Sequence, residues 1–426
     1  MAEQMAASAA TPAGIVADDL TGATDSAVQF ARDGWQARLA LAMPAPGTAL
    51  AGSVVSFVTD ARAQAPDAAR ASTARAVAGL REAGARHLFI KIDSTMRGSV
   101  SEQVAGALDA WSVEHPDAVA VVCSAYPAMG RTVEGGHILV NGAGVHTTAV
   151  GTDPVTPVAT SDLAELLPGS VSLALRHDSA PKNAAQLDAA FTGGTRVVVV
   201  DAATDADLTT LAEAVALLGP RAVPVGAAGL AVAMSRVWSI SDAPDAGTGR
   251  QVGRIVVVVS SLHDVSRSQA DHLVDSVPAE RIRVLAPTLD DALSPDTIAD
   301  WAARQLADSA LPEIVVISSP SERPTQLPSG DSTAAELIAD SLATITGLVF
   351  AHDAVGALML LGGEGARAVL DRLGADSLLV HDAIREGIPL GTLEGGVADG
   401  VTVVTKAGGF GTPTSVADIV LELLNP

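Results

Sequence analysis

GIVADDLTGATDSAVQFARDG, residues 14–34, reads as a buried strand, a sharp turn and a helix. The apolar run predicts a strand ending at about Ala17, and the periodicity predicts a helix from about Ala23 to Arg32. Asp18, Asp19, Thr21 and Thr24 then stand between a strand's carboxyl end and a helix mouth. Open α/β sheets bind their ligands at that place. Carboxylates there can bind substrate hydroxyls, accept a proton or hold a metal. The same residues also suit helix capping, with Asp25 in the first turn.

The pattern recurs along the chain. Apolar, β-branched runs occupy 52–58, 86–92, 118–124, 195–201, 253–261, 313–319 and 401–407. Such near-continuous runs are expected of strands buried on both faces, as in parallel sheets. Between them lie stretches at helical spacing, such as 67–84, 101–115, 203–219 and 295–309. The alternation predicts an α/β fold of two domains, each with a mostly parallel sheet covered by helices. The polar, Pro- and Gly-bearing segment 239–251 is the expected linker, giving domains at 12–238 and 252–426. A second polar stretch, 318–332, is expected to be a long loop in the second domain.

Composition narrows the function. The 426 residues are 48% hydrophobic with a formal net charge of −23. Such acidity argues against nucleic acid or an anionic membrane as partner. The single cysteine, Cys123, rules out an intrachain disulfide and lies in an apolar run that suits a buried thiol. The first residues show no basic segment leading into an apolar one, so no signal peptide and a cytoplasmic location are expected. No 18-residue apolar stretch escapes interruption by charge, Gly or Pro, so no membrane partner is expected.

Three further strand ends carry polar chemistry. In FIKIDSTMRGSVSEQ, Lys91, Asp93, Ser94, Thr95 and Arg97 crowd into seven positions before a helix from about Ser101. Two cations beside a carboxylate and two hydroxyls suit a polyhydroxy acid, with Arg gripping a carboxylate bidentately. FVTDARAQ offers Asp60 and Arg62. CSAYPAMGRTVEGGHILVNG offers Tyr126, Arg131 and His137, or is simply a structured loop and hairpin.

ADDLTGATDS, TDARA, KIDSTMRGS, YPAMGRTVEGGHILVNG and GTDPVTPVATSDL, in this order, resemble the substrate domain of the four-carbon acid sugar kinases. LLGGEGARAV, EGIPLGTLEGG and VTKAGGFG resemble that family's nucleotide domain. The resemblance runs from about Gly14 to the C-terminus. It implies phosphorylation of threonate, erythronate or 3-oxo-tetronate with ATP and Mg²⁺. It implies acid contacts at Asp18, Arg62, Lys91, Asp93 and Ser94. It implies ATP contacts at Ser261, at Gly362, Gly363 and Glu364, and at Gly408, Gly409 and Gly411. The partners it implies are the small acid and ATP, with a homodimer as a further expectation.

The second half carries no G-x-x-x-x-G-K-[ST] segment, so phosphate must be held by other glycine turns. ALMLLGGEGARAVLDRLG and VTVVTKAGGFGTPTSVADIV each read as strand, glycine turn and helix, the latter adding Lys406. Two turns depart from the family pattern. A Ser-Gly-Ser turn is replaced by Val259-Ser260-Ser261, and the Gly-Gly-Glu turn is followed by Gly365 where Thr or Ser is usual. The expected chemistry is in-line transfer across a cleft between the domains, resting on positioning and charge neutralisation. Asp18, Asp19 or Asp93 would accept the hydroxyl proton, and Lys91 or Arg97 would steady the acid or the phosphate. The rival from another class is a regulator that binds acid and nucleotide with little turnover. A dehydrogenase is disfavoured, because no G-x-G-x-x-G joins a strand to a helix.

Overall fold

A computed structural model of the chain describes residues 11–49, 52–153, 155–176, 179–238, 252–261, 263–307, 310–322, 333–385, 387–406, 409 and 411–425. The segment 239–251 and most of 318–332 lie outside the described residues. The chain divides into two compact units, Met1–Asp245 and Ala246–Pro426.

In the first unit the apolar runs form β1 (Ala13–Ala17), β3 (Ser53–Val58), β4 (His87–Lys91) and β5 (Val119–Cys123), and the unanticipated β2 (Gln36–Ala40) joins them. A separate antiparallel excursion follows, with β6 (Arg131–Glu134), β7 (His137–Val140) and β8 (Ala143–Gly144). The chain then returns with β9 (Val171–Leu173), β10 (Val197–Val200) and β11 (Ala222–Gly226). The main sheet is parallel in the order β2-β3-β1-β4-β11-β5-β10-β9. All five residues of β1, β5 and β11 are buried, which is why these runs carry no alternation.

Helices cover the sheet in two sets. Leu20–Arg32 packs on Ala228–Val237, which packs on Asp205–Leu218 and then Ala180–Thr192. Pro66–Ala83 and Val100–Trp111 form a separate pair. The link leaving β1 runs to β2 on one side, while the link leaving β3 crosses back over β1 to β4. The loops at the carboxyl ends of β1, β3 and β4 therefore diverge and leave a crevice, the switch point of a doubly wound sheet.

The first helix begins at Leu20, three residues before the expected Ala23. Asp19 supplies the reason: its Oδ1 accepts from the Gly22 amide at 2.7 Å and caps the helix at once. The turn after β1 is thus a two-residue step, Asp18-Asp19. The excursion at β6–β8 is a hairpin held by Asp201, whose carboxylate accepts from the amides of Gly135 and Gly136, both at 2.9 Å. Cys123 ends β5 fully buried, and burial pushes its thiol up to about 12.

The second unit contains β12 (Ile255–Val259), β13 (Ile282–Leu285), β14 (Ile314–Ser318), β15 (Ala357–Leu361), β16 (Ser377–Arg385), β17 (Ile388–Glu394) and β18 (Thr402–Lys406). Its order is β13-β14-β12-β15-β18-β17-β16. The first five are parallel, and the β16–β17 hairpin adds antiparallel strands at one edge. Helix Ala334–His352 is long and apolar enough to cross a membrane by composition. Its Leu342, Ile345, Thr346 and Val349 are instead buried within the unit.

Trp111 ties the first unit's helices to a distant loop. It is fully buried, and its indole N–H donates to the Pro220 carbonyl at 2.7 Å. Trp111→Phe keeps most of the volume and strands that carbonyl, so it is expected to lower stability by about 1–3 kcal/mol. Trp111→Ala adds a cavity and is expected to cost about 3–5 kcal/mol. Urea unfolding of the two variants measures the difference.

Candidate functional site

Register brings the polar strand ends together. Ala17 is level with both Val58 and Lys91, so the residues following β1, β3 and β4 emerge side by side. The Asp18 amide donates to the Lys91 carbonyl at 3.2 Å, and the Arg62 amide donates to the Asp18 carbonyl at 3.3 Å. Arg62 reaches this position through a short turn over Ala61–Ala63, preceded by Asp60 in a left-handed conformation.

The side chains form one ionic network. Arg62 grips Asp18 with two donors, Nε at 3.0 Å and Nη2 at 2.9 Å. Its Nη1 donates to Asp19 at 2.7 Å, and its Nη2 lies 3.6 Å from Asp93. Arg97 grips Asp93 in the same two-pronged way, at 3.1 and 2.8 Å, and reaches Asp153 at 3.3 Å. Thr95 donates both its amide and its hydroxyl to Asp93. Such fork pairs fix direction as well as charge.

Burial and partners set the two buried carboxyls apart. Burial pushes Asp18 above its ordinary value, against the pull of Arg62. Burial pushes Asp93 the same way, but the hydrogen bonds from Arg97 and Thr95 and the charges of Arg62 and Arg97 outweigh it. Asp93 is held well below the carboxylate range. Arg62 is pulled down by burial yet held well above its usual value by the charges of Asp18, Asp19 and Asp93.

An open pocket of about 340 Å³ lies over this network, lined by Asp18, Asp19, Asp60, Arg62, Ala63, Arg97, Asp153, Val155 and Thr156. It brings together Asp18, Asp19, Arg62 and Arg97 of the expected residues, with Asp93 pairing to both arginines. Lys91 and Ser94 do not line it. Lys91 is buried, with Nζ donating to the Ile92 carbonyl at 2.9 Å. A Cβ on Gly22 would sit 2.7 Å from that Nζ and from Asp19 Oδ1, so a side chain there would displace one or both of them. Tyr126, Arg131 and His137 lie on and beside the hairpin, away from the pocket lining.

This pocket is not locally positive. Four carboxylates line it, Asp18, Asp19, Asp60 and Asp153, against the two guanidiniums. Asp153 and Thr156 escaped the sequence reading, although both stand in the GTDPVT stretch. The signal available there was the Asp-Pro step. In the structure Asp153 accepts from the amides of Val155 and Thr156 at 2.9 and 2.8 Å, folding that stretch into a tight turn at the pocket wall.

In the second unit, β12, β15 and β18 are adjacent and in register at Val259, Leu361 and Lys406. Their ends gather Ser261, Gly362, Gly363 and Lys406. The Gly362 amide donates to the Lys406 carbonyl at 3.1 Å. Gly362 has φ +111°, and Gly363 opens the helix Gly363–Leu373. Lys406 is buried, which pulls its pKa down to about 8, and its Nζ donates to Ser266 Oγ at 3.4 Å. Gly409 is exposed beside His263, and Gly411 has φ +86°. Gly408 and the side chain of Glu364 lie outside the described residues.

Two family models match: a sugar-binding N-terminal domain over residues 13–234 and a nucleotide-binding C-terminal domain over residues 256–416. A D-threonate kinase of Bordetella bronchiseptica is 41% identical over 411 residues, 93% of this chain and 94% of its own length. The chain belongs to the four-carbon acid sugar kinase family. A second member, a D-erythronate kinase of Heliobacterium modesticaldum, is 31% identical over 448 residues, covering 96% of each chain. A solved structure from Salmonella typhimurium LT2 shares the fold with a TM-score of 0.75 at 22% identity, covering 96% of this chain and 98% of that one. As a member of this family the protein is an enzyme, a sugar-acid kinase.

Because Asp93 is depressed in the folded chain, the unfolded chain takes up its proton first as pH falls. Its stabilisation is therefore complete above about pH 4, the ordinary carboxylate value, and is lost as pH falls further toward the folded value. Asp93→Asn is expected to lower stability by about 1–3 kcal/mol at pH 7, since Arg97 is 32% exposed and partly screened. The gap between wild type and variant should be flat from pH 7 to about 5 and shrink below about 4. Urea unfolding at each pH measures it.

Proposed function

We propose that this kinase transfers the γ-phosphoryl group of ATP directly to a hydroxyl of a four-carbon sugar acid, with D-threonate the first candidate. The observation that carries the reading is the Asp18–Arg62–Asp93–Arg97 network at the switch point of the sugar-binding domain. A polyol acid offers several hydroxyls and one carboxylate. Carboxylates at Asp18 and Asp19 suit the hydroxyls, and the guanidinium faces of Arg62 and Arg97 suit the carboxylate. The 41% identical relative is named a D-threonate kinase, which puts that acid first.

In this reading Asp18 accepts the hydroxyl proton. Burial raises its affinity for a proton, as suits a base, while Asp93 is saturated with donors and depressed. Arg62 and Asp19 orient the acid, and Arg97 with Thr156 bounds it on the other side. The nucleotide is assigned to the second unit, its phosphates on the amides of the Gly362–Gly363 turn with the charge of Lys406 near by. Ser261, Glu364 and the loop of Gly408, Gly409 and Gly411 complete the proposed nucleotide contacts.

Among the described residues, no group of three or more His, Cys, Asp or Glu is placed to hold a metal ion. Mg²⁺ fits as part of MgATP, where phosphate oxygens and water supply most ligands and one or two carboxylates suffice. When bound, the ion neutralises phosphate charge. Positioning and charge, with no covalent intermediate, are enough for such a transfer.

A panel of threonate, erythronate and 3-oxo-tetronate with MgATP tests the reading through ADP release. The highest kcat/KM is expected with D-threonate. Saturable acid binding without ADP release would overturn it. Asp18→Asn is expected to lower kcat by about 10²–10⁴-fold. Near-normal turnover in that variant would remove Asp18 from the role of base.

Lys406 gives an independent test on the nucleotide side. In the unliganded protein it loses its charge as pH rises through about 8. Affinity for ATP, measured by calorimetric titration, is expected to fall across that range. Lys406→Met should bind more weakly at pH 7 and show no such fall.

A further inference from the structure

Ser260 and Gly365 stand against each other at the glycine turn of the second unit. Ser260 follows β12, and Gly365 lies in the first turn of the helix Gly363–Leu373 that follows β15. A Cβ built on Gly365 would collide with both Cβ and Oγ of Ser260. A Cβ on Gly362 would lie 2.6 Å from the same Oγ. Ser260 thus fills the space that a side chain at 365 would need, while at 362 the φ of +111° and the Ser261 amide nitrogen, 2.9 Å from such a Cβ, exclude one as well.

Ser260 also anchors the turn. Its hydroxyl donates to the Leu361 carbonyl at 3.0 Å and approaches the Gly362 carbonyl at 3.5 Å. The amides of Ser260 and Ser261 donate to that same Leu361 carbonyl, both at 3.0 Å. Three donors from the end of β12 thus converge on the last carbonyl of β15. They hold the peptide from which the Gly362–Gly363 turn departs.

We propose that Ser260 is a positioning residue for the nucleotide, setting the Gly362–Gly363 turn from the neighbouring strand, and that Gly365 must lack a side chain because Ser260 occupies its place. The nucleotide part of this inference rests on the assignment of ATP to the second unit. The departures at 260 and 365 are then a single steric exchange, with Val259 standing outside it. A hydroxyl absent from the helix is supplied from the adjoining strand end, and the glycine absent from the strand end reappears on the helix.

The geometry makes the exchange reversible. With residue 260 reduced to glycine, the nearest remaining neighbour of a Cβ at 365 is the Cα of residue 260 at 3.7 Å, an ordinary contact. A cycle of Gly365→Thr, Ser260→Gly and the double variant therefore tests the pairing, with Ser260→Ala separating the hydroxyl from the volume. Gly365→Thr alone is expected to raise the KM for MgATP at least tenfold and to lower the melting temperature of the unliganded protein. In the double variant both are expected to return most of the way to wild type. Ser260→Ala is expected to raise the KM for MgATP several-fold while kcat and the KM for the acid hold.

If Gly365→Thr is as harmful with glycine at 260 as with serine, the pairing is wrong. If Ser260→Ala leaves the KM for MgATP unchanged, the positioning role is wrong. A wild type that neither turns over nor is stabilised by MgATP overturns the nucleotide assignment and the positioning role with it. The melting temperatures of the unliganded cycle decide the steric pairing in every case.

Discussion

A carboxylate buried at the end of the central strand is the constraint from which the first unit's site follows. Asp18 is 1% exposed. An isolated charge at that depth is untenable, so the chain must supply a partner with matching geometry. Arg62 does so from the neighbouring strand end, through both prongs of its fork and through its own amide on the Asp18 carbonyl. The loop after β3 is therefore tied to the turn after β1 by main chain and side chain together. Asp19 and Asp93 join the same guanidinium, so the three loops around the switch point share one cation. What looks like a substrate cradle is also the brace of the three strand ends.

That double duty explains the sign of the pocket. Both arginines already serve aspartates, so a bound acid meets cations whose charge is largely answered. The excess of carboxylates favours a ligand rich in hydroxyl donors over a simple dianion. A four-carbon sugar acid has three hydroxyls or two hydroxyls and a ketone, and carries a single negative charge. Arginine is suited to such sharing, because its planar donors can serve an internal carboxylate on one edge and a ligand on another. Lys91 lacks such a planar fork, and its Nζ donates inward to the Ile92 carbonyl.

The strands that were legible owe it to unbroken apolar runs buried on both faces, as in β1, β5, β12 and β15, whereas β11, equally buried, is short and interrupted by Pro224 and escaped notice. The strand-end positions of Asp18, Arg62 and Asp93 were legible for the same reason. Their pairing was not. Arg62 meets Asp18 across 44 positions and Arg97 meets Asp153 across 56, distances at which sequence spacing says nothing about contact. The first helix was placed three residues late because capping was open to Asp18, Asp19, Thr21 and Thr24 alike, and it falls to Asp19. Ser260 and Gly365 were read as separate departures. A loss at one position and a gain at another, 105 residues apart in number, become one event only when a Cβ is placed between them.

Both units solve one problem in different currencies of chemistry. Each must fix a turn at the end of a central parallel strand while leaving it open on its outer side. In the first unit the anchor is a charged fork from the adjacent strand end, and side chains remain to face a ligand. In the second the anchor is a neutral hydroxyl and two amides from the adjacent strand end, all aimed at one carbonyl. A charged anchor there would bring a carboxylate or guanidinium next to the glycine turn and occupy the field of its amides. A serine adds no charge and little volume, provided the facing helix gives up its own side chain. The bare glycines at 362, 363 and 365 are thus the counterpart of the crowded aspartates of the first unit: one turn is lined by side chains, and the other leaves its main chain uncovered.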